Sequence, residues 1–209
     1  MITIAGKPCS GKSATSKYLE KEHNFERISM GDMFRSIATE YGINVNDLNQ
    51  KCNNLANGQN QDTPQIDIDA MLDKRVQDLG SKRIREYIIL ESRTGFKLIP
   101  QSYKVYTTIT PQVQAQRLLH SGRTTEDVDI SAEQAIINLD SRENMERERF
   151  LRLYKADIMD LKQYDKVVDT SNITIAQGGE SVLEGYIEYR KARNYDTDSN
   201  GPTLTFKRK

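Results

Sequence analysis

Short runs of apolar and β-branched residues alternate along the chain with longer stretches whose hydrophobic positions recur at helical spacing. Five such runs are bounded by polar or turn residues, at positions 2–5, 25–28, 87–90, 104–109 and 166–168. Short apolar runs separated by helical stretches are typical of buried parallel strands joined by crossover helices. The pattern therefore predicts a doubly wound α/β domain with a five-stranded parallel sheet.

The stretches between these runs carry helix start and stop signals. We predict helices over residues 12–21, 33–41, 67–79, 131–162 and 173–193. Gly42 and Gly80 are interpreted as the ends of the second and third helices, and Ser131 as the start of a capping box that opens the fourth. The Asn- and Gln-rich segment 52–63 is predicted to be a loop.

The helical and strand patterns end well before the last residue. We predict one domain over residues 1–193 and a mobile polar tail over residues 194–209, which contains Gly201-Pro202 and ends in three basic residues. An edge strand through residues 203–206 is the alternative for the tail.

Composition narrows the class of protein. Lys plus Arg and Asp plus Glu number 30 each, so the formal net charge is zero. This balance argues against general nucleic-acid binding, which needs a basic surplus. No apolar run reaches the length of a membrane span, no secretory signal is evident, and Cys9 and Cys52 are expected to be free thiols. We expect a cytoplasmic monomer.

The segment with the clearest chemistry is Gly6-Lys7-Pro8-Cys9-Ser10-Gly11-Lys12-Ser13. It fits the pattern G-x-x-x-x-G-K-[ST] and lies between a predicted strand and a predicted helix. Glycines let the backbone fold tightly around phosphate oxygens, and the backbone N–H groups join the positive end of the following helix. Lys12 is placed to reach the β and γ phosphates, and the Ser13 hydroxyl to bind Mg²⁺. We assign these residues, together with Ala14, to ATP.

A phosphate-binding loop does not define the reaction, so the other motifs matter. Ser29-Met30-Gly31-Asp32-Met33-Phe34-Arg35 follows the second predicted strand, and Glu91-Ser92-Arg93-Thr94-Gly95 follows the third. Arg142, Glu146 and Arg149 are spaced as R-x-x-x-E-x-x-R on the predicted long helix. Together with the phosphate-binding loop, these segments resemble the cytidylate kinases, especially the short archaeal type, over residues 1–182.

The resemblance implies a P-loop NTPase fold with a helical lid and monophosphate-binding helices, and transfer of the ATP γ-phosphoryl to CMP or dCMP. It implies an acceptor site made of Asp32, Arg35, Asp69, Arg93, Gly95, Arg142, Glu146 and Arg149. Lys12, Arg93, Arg142 and Arg149 are the expected catalytic residues, since arginine binds phosphate through its planar fork. Arg117 is expected to stack on the adenine and Arg123 to be a lid arginine. Ser13 and Glu91 are the expected Mg²⁺ residues.

Several of these assignments have structural alternatives. Asp32 would serve equally as the N-cap of the second helix, and Glu91 as a helix cap or ion-pair partner. The arginines of the long helix would serve as a solvated charged face. Gln114 stands where an arginine is more typical of the family.

Two other functions remain as alternatives at this stage. One is a P-loop kinase of the shikimate or gluconate type, whose alcohol acceptor would need a general base near Asp32. The other is a nucleotide-binding module that uses ATP to organise a partner and phosphorylates no metabolite.

Overall fold

A central parallel sheet organises the chain, whose computed structural model describes residues 1–56, 67–120 and 132–195. The strands are β1 Ile2–Gly6, β2 Glu26–Ser29, β3 Ile88–Glu91, β4 Tyr103–Thr108 and β5 Lys166–Asp169. They lie in the order β2-β3-β1-β4-β5, and each neighbouring pair is parallel. The predicted fold class is confirmed, and each predicted strand is present to within two residues at either end.

Helices cover both faces of this sheet. They are α1 Lys12–His23, α2 Met30–Glu40, α3 Val45–Ala56, α4 Ile68–Arg83, α5 Gly95–Leu98, α6 Pro111–His120, α7 Ala132–Tyr154 and α8 Ile175–Ala192. A 3₁₀ turn, Leu161–Gln163, precedes β5. One face packs Leu19 of α1 and Leu183 of α8 against Ile4 of β1. The other packs Phe96 of α5 and Phe150 of α7 against the sheet, which buries β1 completely.

A smaller helical unit is built from α2, α3 and α4. Its core contains Ile37 and Ala38 of α2, Leu48 and Cys52 of α3 and Ile68 of α4. The loop predicted over residues 52–63 is therefore wrong as far as Ala56, because Leu48 and Cys52 share one face of α3 and bury it. Residues 57–63 lie outside the described residues. Cys9 and Cys52 are not joined in a disulfide.

Three predicted helix boundaries are also wrong. Helix α2 begins at Met30, because the Ser29 hydroxyl accepts a hydrogen bond from the Asp32 backbone N–H at 3.1 Å. Helix α4 continues past Gly80, where a Cβ would lie 2.8 Å from the Ile99 side chain. The glycine therefore allows close packing and does not end the helix. Helix α7 stops at Tyr154, since Lys155 adopts a left-handed backbone with φ 52°.

Some predictions fall on parts of the chain that the structure does not describe. These are the capping residue Ser131, the lid residue Arg123 and the tail from residue 196 onward. Asn194 and Tyr195, the first two residues of the predicted tail, are described, and the Tyr195 carbonyl accepts a hydrogen bond from Arg190. Among the helices described, none combines the length and the apolar character that crossing a membrane requires.

Candidate active site

The phosphate-binding loop joins the end of β1 to the start of α1, and its shape depends on glycine at both ends. Gly6 has φ 145°, and a Cβ there would lie 2.2 Å from the Thr107 carbonyl oxygen of β4. Gly11, the N-cap of α1, has φ 83° in the left-handed region. The loop therefore folds closely against β4 and presents the N-terminus of α1, as the sequence motif predicts.

Lys12 lies across this loop. Its Nζ donates hydrogen bonds to the carbonyl oxygens of Gly6 and Lys7, both at 2.7 Å. Burial, and next the positive charge of Arg93, lower the pKa of Lys12 from 10.5 to about 7. Arg93, which belongs to the predicted acceptor site, also lines one small pocket with Gly6 and Lys7 of the phosphate-binding loop.

A chain of charge-assisted hydrogen bonds links the loop to β3 and β2. The Ser13 hydroxyl donates to Glu91 Oε2 at 2.7 Å, and Arg27 Nε donates to Glu91 Oε1 at 2.5 Å. Glu91 ends β3 and is buried, with 7% of its surface exposed. Its ion pair with Arg27 matches one of the alternatives raised by the sequence. The hydroxyl of Ser13 and the carboxylate of Glu91 are nonetheless adjacent oxygen groups, the kind that Mg²⁺ prefers.

The same arginine reaches the start of α2. Arg27 Nη2 donates to Asp32 Oδ2 at 3.1 Å, and Arg35 pairs with the other carboxylate oxygen of Asp32. Burial raises the pKa of Asp32, but the hydrogen bonds from Arg35 and Arg27 outweigh it and hold the pKa below its ordinary value. Asp32 therefore organises two arginines at the carboxyl edge of β2.

Two further predicted residues meet between β3 and α7. Arg93 follows β3 and forms an ion pair with Glu146, which lies in the middle of α7. Glu146 is buried, with 8% of its surface exposed. The predicted lid helix and the predicted acceptor arginine are therefore in direct contact.

Arg149 lies one turn further along α7 and is also buried, with 6% of its surface exposed. Its Nε is 3.9 Å from Asp69 Oδ2 of α4, and its guanidinium lies over the Phe150 ring at 4.9 Å. Within the described part of the chain, Nε and Nη1 of Arg149 are buried and lack hydrogen-bond partners. Burial raises the pKa of Asp69, against the opposing effect of Arg149.

A second contact between α4 and α7 is a hydrogen bond between a phenol and a carboxylate. The Tyr154 hydroxyl of α7 donates to Asp73 Oδ2 of α4 at 2.6 Å. This bond and the Arg149–Asp69 pair tie α7 to the helical unit formed by α2, α3 and α4. Arg142 lies on α7 as predicted, but its side chain is outside the described part of the structure.

On the other side of the loop, Arg117 of α6 bridges two segments. Its guanidinium donates to the Thr170 hydroxyl at 3.0 Å, to the Thr170 carbonyl at 2.6 Å and to the Cys9 carbonyl at 3.4 Å. Thr170 in turn donates to the Ser10 carbonyl at 3.0 Å. Arg117 is thus held beside the phosphate-binding loop, on the side away from Arg93.

The remaining predicted residues line or support the loop. Ala14 lies in the first turn of α1. The Pro8 carbonyl accepts a hydrogen bond from Gln114 Nε2 at 3.0 Å. Gly95 is buried, and a Cβ at this position would lie 3.1 Å from Thr3 of β1. The lack of a side chain at Gly95 therefore lets α5 pack close to the sheet.

Arg27 was missed in the sequence. It lies inside β2, between Glu26 and Ile28, and was counted as part of an apolar run. A partly buried charged residue within a strand of the sheet is a signal that could have found it, because charges removed from water need partners. Its partners, Glu91 and Asp32, were both predicted site residues.

Known proteins resemble this chain in sequence. A family model described as an AAA domain matches residues 2–151. A cytidylate kinase of Saccharolobus islandicus is 32% identical over 177 residues, which are 84% of this chain and 84% of that protein. A cytidylate kinase of Sulfurisphaera tokodaii is 29% identical over 194 residues, covering 93% of this chain and 98% of that protein.

Solved structures resemble it in fold. A protein from Eubacterium ventriosum, described as uncharacterized, aligns with a TM-score of 0.63 at 12% identity, covering 90% of this chain and 97% of that one. A shikimate kinase from Bacteroides thetaiotaomicron aligns with a TM-score of 0.56 at 11% identity, covering 91% of this chain and 97% of that one. At these identities the likeness concerns the fold alone.

The sequence relatives and the phosphate-binding loop both indicate a kinase. Kinases at this identity over most of the chain, with the nucleotide loop intact in the structure, make the protein an ATP-dependent phosphotransferase. The chain belongs to the cytidylate kinase family of P-loop kinases.

Proposed function

We propose that this enzyme transfers the γ-phosphoryl group of ATP to CMP or dCMP and releases ADP and the corresponding diphosphate. The proposal is supported by the sequence relatives from Sulfurisphaera tokodaii and Saccharolobus islandicus, which are cytidylate kinases. It is also supported by the arrangement of basic side chains opposite the phosphate-binding loop. Lys12 belongs to the loop, whereas Arg93 follows β3 and Arg149 lies on α7.

The observation that carries the proposal is the burial of Arg149 with part of its guanidinium lacking hydrogen-bond partners among the described residues. A buried guanidinium with two N–H donors lacking partners in the described chain is costly, because an unmade hydrogen bond from a charged group loses its desolvation energy. An anionic substrate with hydrogen-bond acceptors would satisfy these donors. Asp69, 3.9 Å away, would accept from an amino or hydroxyl group of the same substrate. A nucleotide monophosphate supplies both kinds of group.

The chemistry requires no covalent enzyme intermediate. An oxygen of the acceptor phosphate forms a bond to the γ-phosphorus, while the bond to the bridging oxygen breaks and ADP leaves with its electron pair. The protein supplies alignment and positive charge where negative charge shifts, which are the main contributions to phosphoryl transfer. Lys12 and Arg93 are the described residues placed for this role, and Arg142 is the further residue we propose on α7.

Mg²⁺ would be held at Ser13 and Glu91, whose oxygen atoms fit its ligand preference. When bound with ATP, the ion neutralises charge on the phosphate oxygens. Arg27 holds the Glu91 carboxylate in place beside Ser13. Arg117, fixed beside the loop by Thr170 and Cys9, is the residue we propose for the adenine side.

The state of Asp32 argues against an alcohol acceptor such as shikimate or gluconate. Such a kinase benefits from a general base near the acceptor hydroxyl, and a base works best with a pKa near the working pH. The two arginines beside Asp32 instead hold its pKa below the ordinary value. A phosphate acceptor needs no such base, because its oxygen is already ionised.

A panel of acceptors tests the proposal. The protein is incubated with Mg-ATP and one nucleoside monophosphate, shikimate or gluconate at a time, and ADP release is measured. We expect the highest kcat/KM with CMP or dCMP. The variant Lys12→Ala should lose about 10²–10³ in kcat, typical of removing one preorganised charge donor, while its circular dichroism spectrum stays unchanged. Faster turnover with an alcohol or with another base would refute the assignment of the acceptor.

A further inference from the structure

A second lysine of the phosphate-binding loop is paired across the cleft with the lid helix. Lys7 Nζ lies 3.7 Å from Glu143 Oε2 of α7. The other carboxylate oxygen, Glu143 Oε1, accepts a hydrogen bond from Gln114 Nε2 at 3.0 Å. Gln114 Nε2 also donates to the Pro8 carbonyl at 3.0 Å. Glu143 therefore reaches the loop twice, once through Lys7 and once through Gln114.

The burial of these groups is unequal. The Glu143 side chain is 5% exposed, whereas that of Lys7 is 29% exposed. A carboxylate buried to this extent is destabilising unless it is paired and hydrogen-bonded. A glutamate at an exposed position of the helix would not have this desolvation cost. The partners that stabilise this buried carboxylate both belong to, or hold, the phosphate-binding loop.

Lys7 also shares a small pocket with a proposed catalytic residue. Its lining includes the charged residues Lys7, Arg93 and Glu143 together with apolar residues such as Ala5, Ile158 and Met159. Arg93 is close enough to Lys12 to lower its pKa. Lys7 and Arg93 thus line the same pocket at the phosphate-binding loop, and the proposed function assigns the transferred phosphoryl group to the space between this loop and Arg93.

We propose that the Lys7 ammonium is a second lysine contact for the transferred phosphoryl group, and that Glu143 is the positioning residue that holds it there. A lysine is a compact charge on a flexible four-carbon stem, so an unrestrained Lys7 would turn to solvent. The Glu143 carboxylate restricts it to the pocket, and Gln114 fixes the carboxylate. Because Glu143 lies on α7, the placement of Lys7 depends on the position of the lid helix.

A double-mutant cycle tests the pair, with Lys7→Met, Glu143→Gln and the double variant. We expect Lys7→Met to lower kcat about 100-fold, as for loss of a transition-state charge contact. Glu143→Gln keeps a group for Gln114 but loses the charge, and should lower kcat about tenfold, as for loss of a supporting residue. In both variants the KM for ATP should change less than about twofold, since the contact matters most in the transition state.

The decisive measurement is the kcat of the double variant, which should be no lower than the kcat of Lys7→Met alone. A purely structural role of Glu143 in α7 would lower kcat equally with and without Lys7, and that additivity would overturn the proposal, as would wild-type kcat in either single variant. Glu148→Gln, an exposed glutamate on the same helix, should match the wild type. If Glu143→Gln fails to fold by circular dichroism, Lys7→Arg decides: it should keep more activity than Lys7→Met, and equal loss would overturn the proposal.

The inference rests on phosphotransferase activity, and only the assay acceptor comes from the proposed function. The cycle is run with whichever acceptor the wild type uses fastest. If no monophosphate is used, the proposed function fails, but the same cycle is then read from transfer of the γ-phosphoryl to water. A fall in that hydrolysis rate with Lys7→Met would support the Lys7 assignment independently, and an unchanged rate would oppose it.

Discussion

Arg93 and Glu146 form an ion pair that joins the end of β3 to the middle of α7. One residue follows a strand of the sheet, and the other lies on the helix predicted to be the lid. The guanidinium that we assign to the acceptor phosphate is therefore paired with a carboxylate of the protein. An acceptor phosphate would exchange with or join this pair.

Replacing Arg93 should separate the two sides of the reaction. We expect Arg93→Ala to lower kcat/KM for the monophosphate about 100-fold, because an arginine–phosphate contact is charge-assisted and bidentate. The affinity for ATP, measured by isothermal titration calorimetry, should fall much less. Equal loss of ATP affinity with an unchanged acceptor KM would place Arg93 on the wrong side of the cleft.

The lowered pKa of Lys12 predicts a proton linkage in ATP binding. In the free enzyme this pKa is about 7, so at pH 8 most Lys12 side chains are neutral. Bound phosphates favour the charged form and raise the pKa. Binding at pH 8 should therefore take up a proton, and ATP affinity should fall as pH rises above 7.

Calorimetry in two buffers of different ionisation enthalpy measures this uptake directly. At pH 6, where Lys12 is already protonated in the free enzyme, the uptake should nearly vanish. Lys12→Met is the matched control, since it keeps the length of the side chain but cannot titrate. An equal proton uptake by Lys12→Met and the wild type at pH 8 would assign the linkage to another group.

Arg149 should matter for the acceptor as well as for stability. We expect Arg149→Met to raise the monophosphate KM at least tenfold, because the substrate loses buried nitrogen donors. The melting temperature should fall as well, because the substitution leaves the largely buried Asp69 without its charged partner. Arg152→Met, an exposed position on the same helix, is the control. A fall in melting temperature with an unchanged KM would make Arg149 a structural residue.

Arg27 should act through Glu91. We expect Arg27→Met to lower kcat by about 10–100-fold, the usual effect of losing a residue that orients a metal-binding group. The Mg²⁺ concentration for half-maximal activity should rise as well. Arg75→Met, an exposed position on α4, provides the comparison. Normal kcat with a normal Mg²⁺ dependence in Arg27→Met would remove Glu91 from the proposed metal site.

Two adjacent glycines of α8 should respond to alanine in opposite directions. At Gly179 a Cβ would lie 2.2 Å from Tyr18 Cδ1, and the Tyr18 ring is held by its hydrogen bond to Glu180. Gly179→Ala should therefore lower the free energy of unfolding by about 1–3 kcal/mol, as overpacking does. At Gly178 the nearest atom would be 3.6 Å away, so Gly178→Ala should raise it by about 0.5–1 kcal/mol through helix propensity.

Urea denaturation of the two variants beside the wild type gives both values. The pair is informative because the residues are neighbours with the same chemistry and differ only in what they face. If both substitutions stabilise the protein, the contact between α8 and Tyr18 is looser than the structure describes.

The sheet and the phosphate-binding loop could be predicted from sequence because each depends on local pattern. Buried parallel strands are short apolar runs, and the loop has a fixed spacing of glycine, lysine and hydroxyl. Glycines were harder to interpret. Gly80 matches a helix stop in sequence, yet it lies within α4. Its lack of a side chain allows close packing against Ile99, a contact that the local sequence does not reveal.

The rest depended on tertiary contacts that no local pattern encodes. Helix α3 was missed because its sequence is rich in asparagine, a weak helix former. Packing of Leu48 and Cys52 against α2 and α4 stabilises the helix, and the local sequence does not reveal these contacts. Arg27 was missed because its partners are Glu91, 64 residues away, and Asp32. The residues that we propose for the acceptor site were predicted from motifs, while the hydrogen bonds and ion pairs among them are visible only in the fold.

The central place of β1 in the sheet has a dynamic consequence. This strand has a hydrogen-bonded neighbour on each side, β3 and β4, and all of its residues are buried. Its amide hydrogens should be among the slowest in the protein to exchange with deuterated solvent, because their release requires global unfolding. The phosphate-binding loop is therefore attached to a strand that we expect to stay folded during binding and release of substrates.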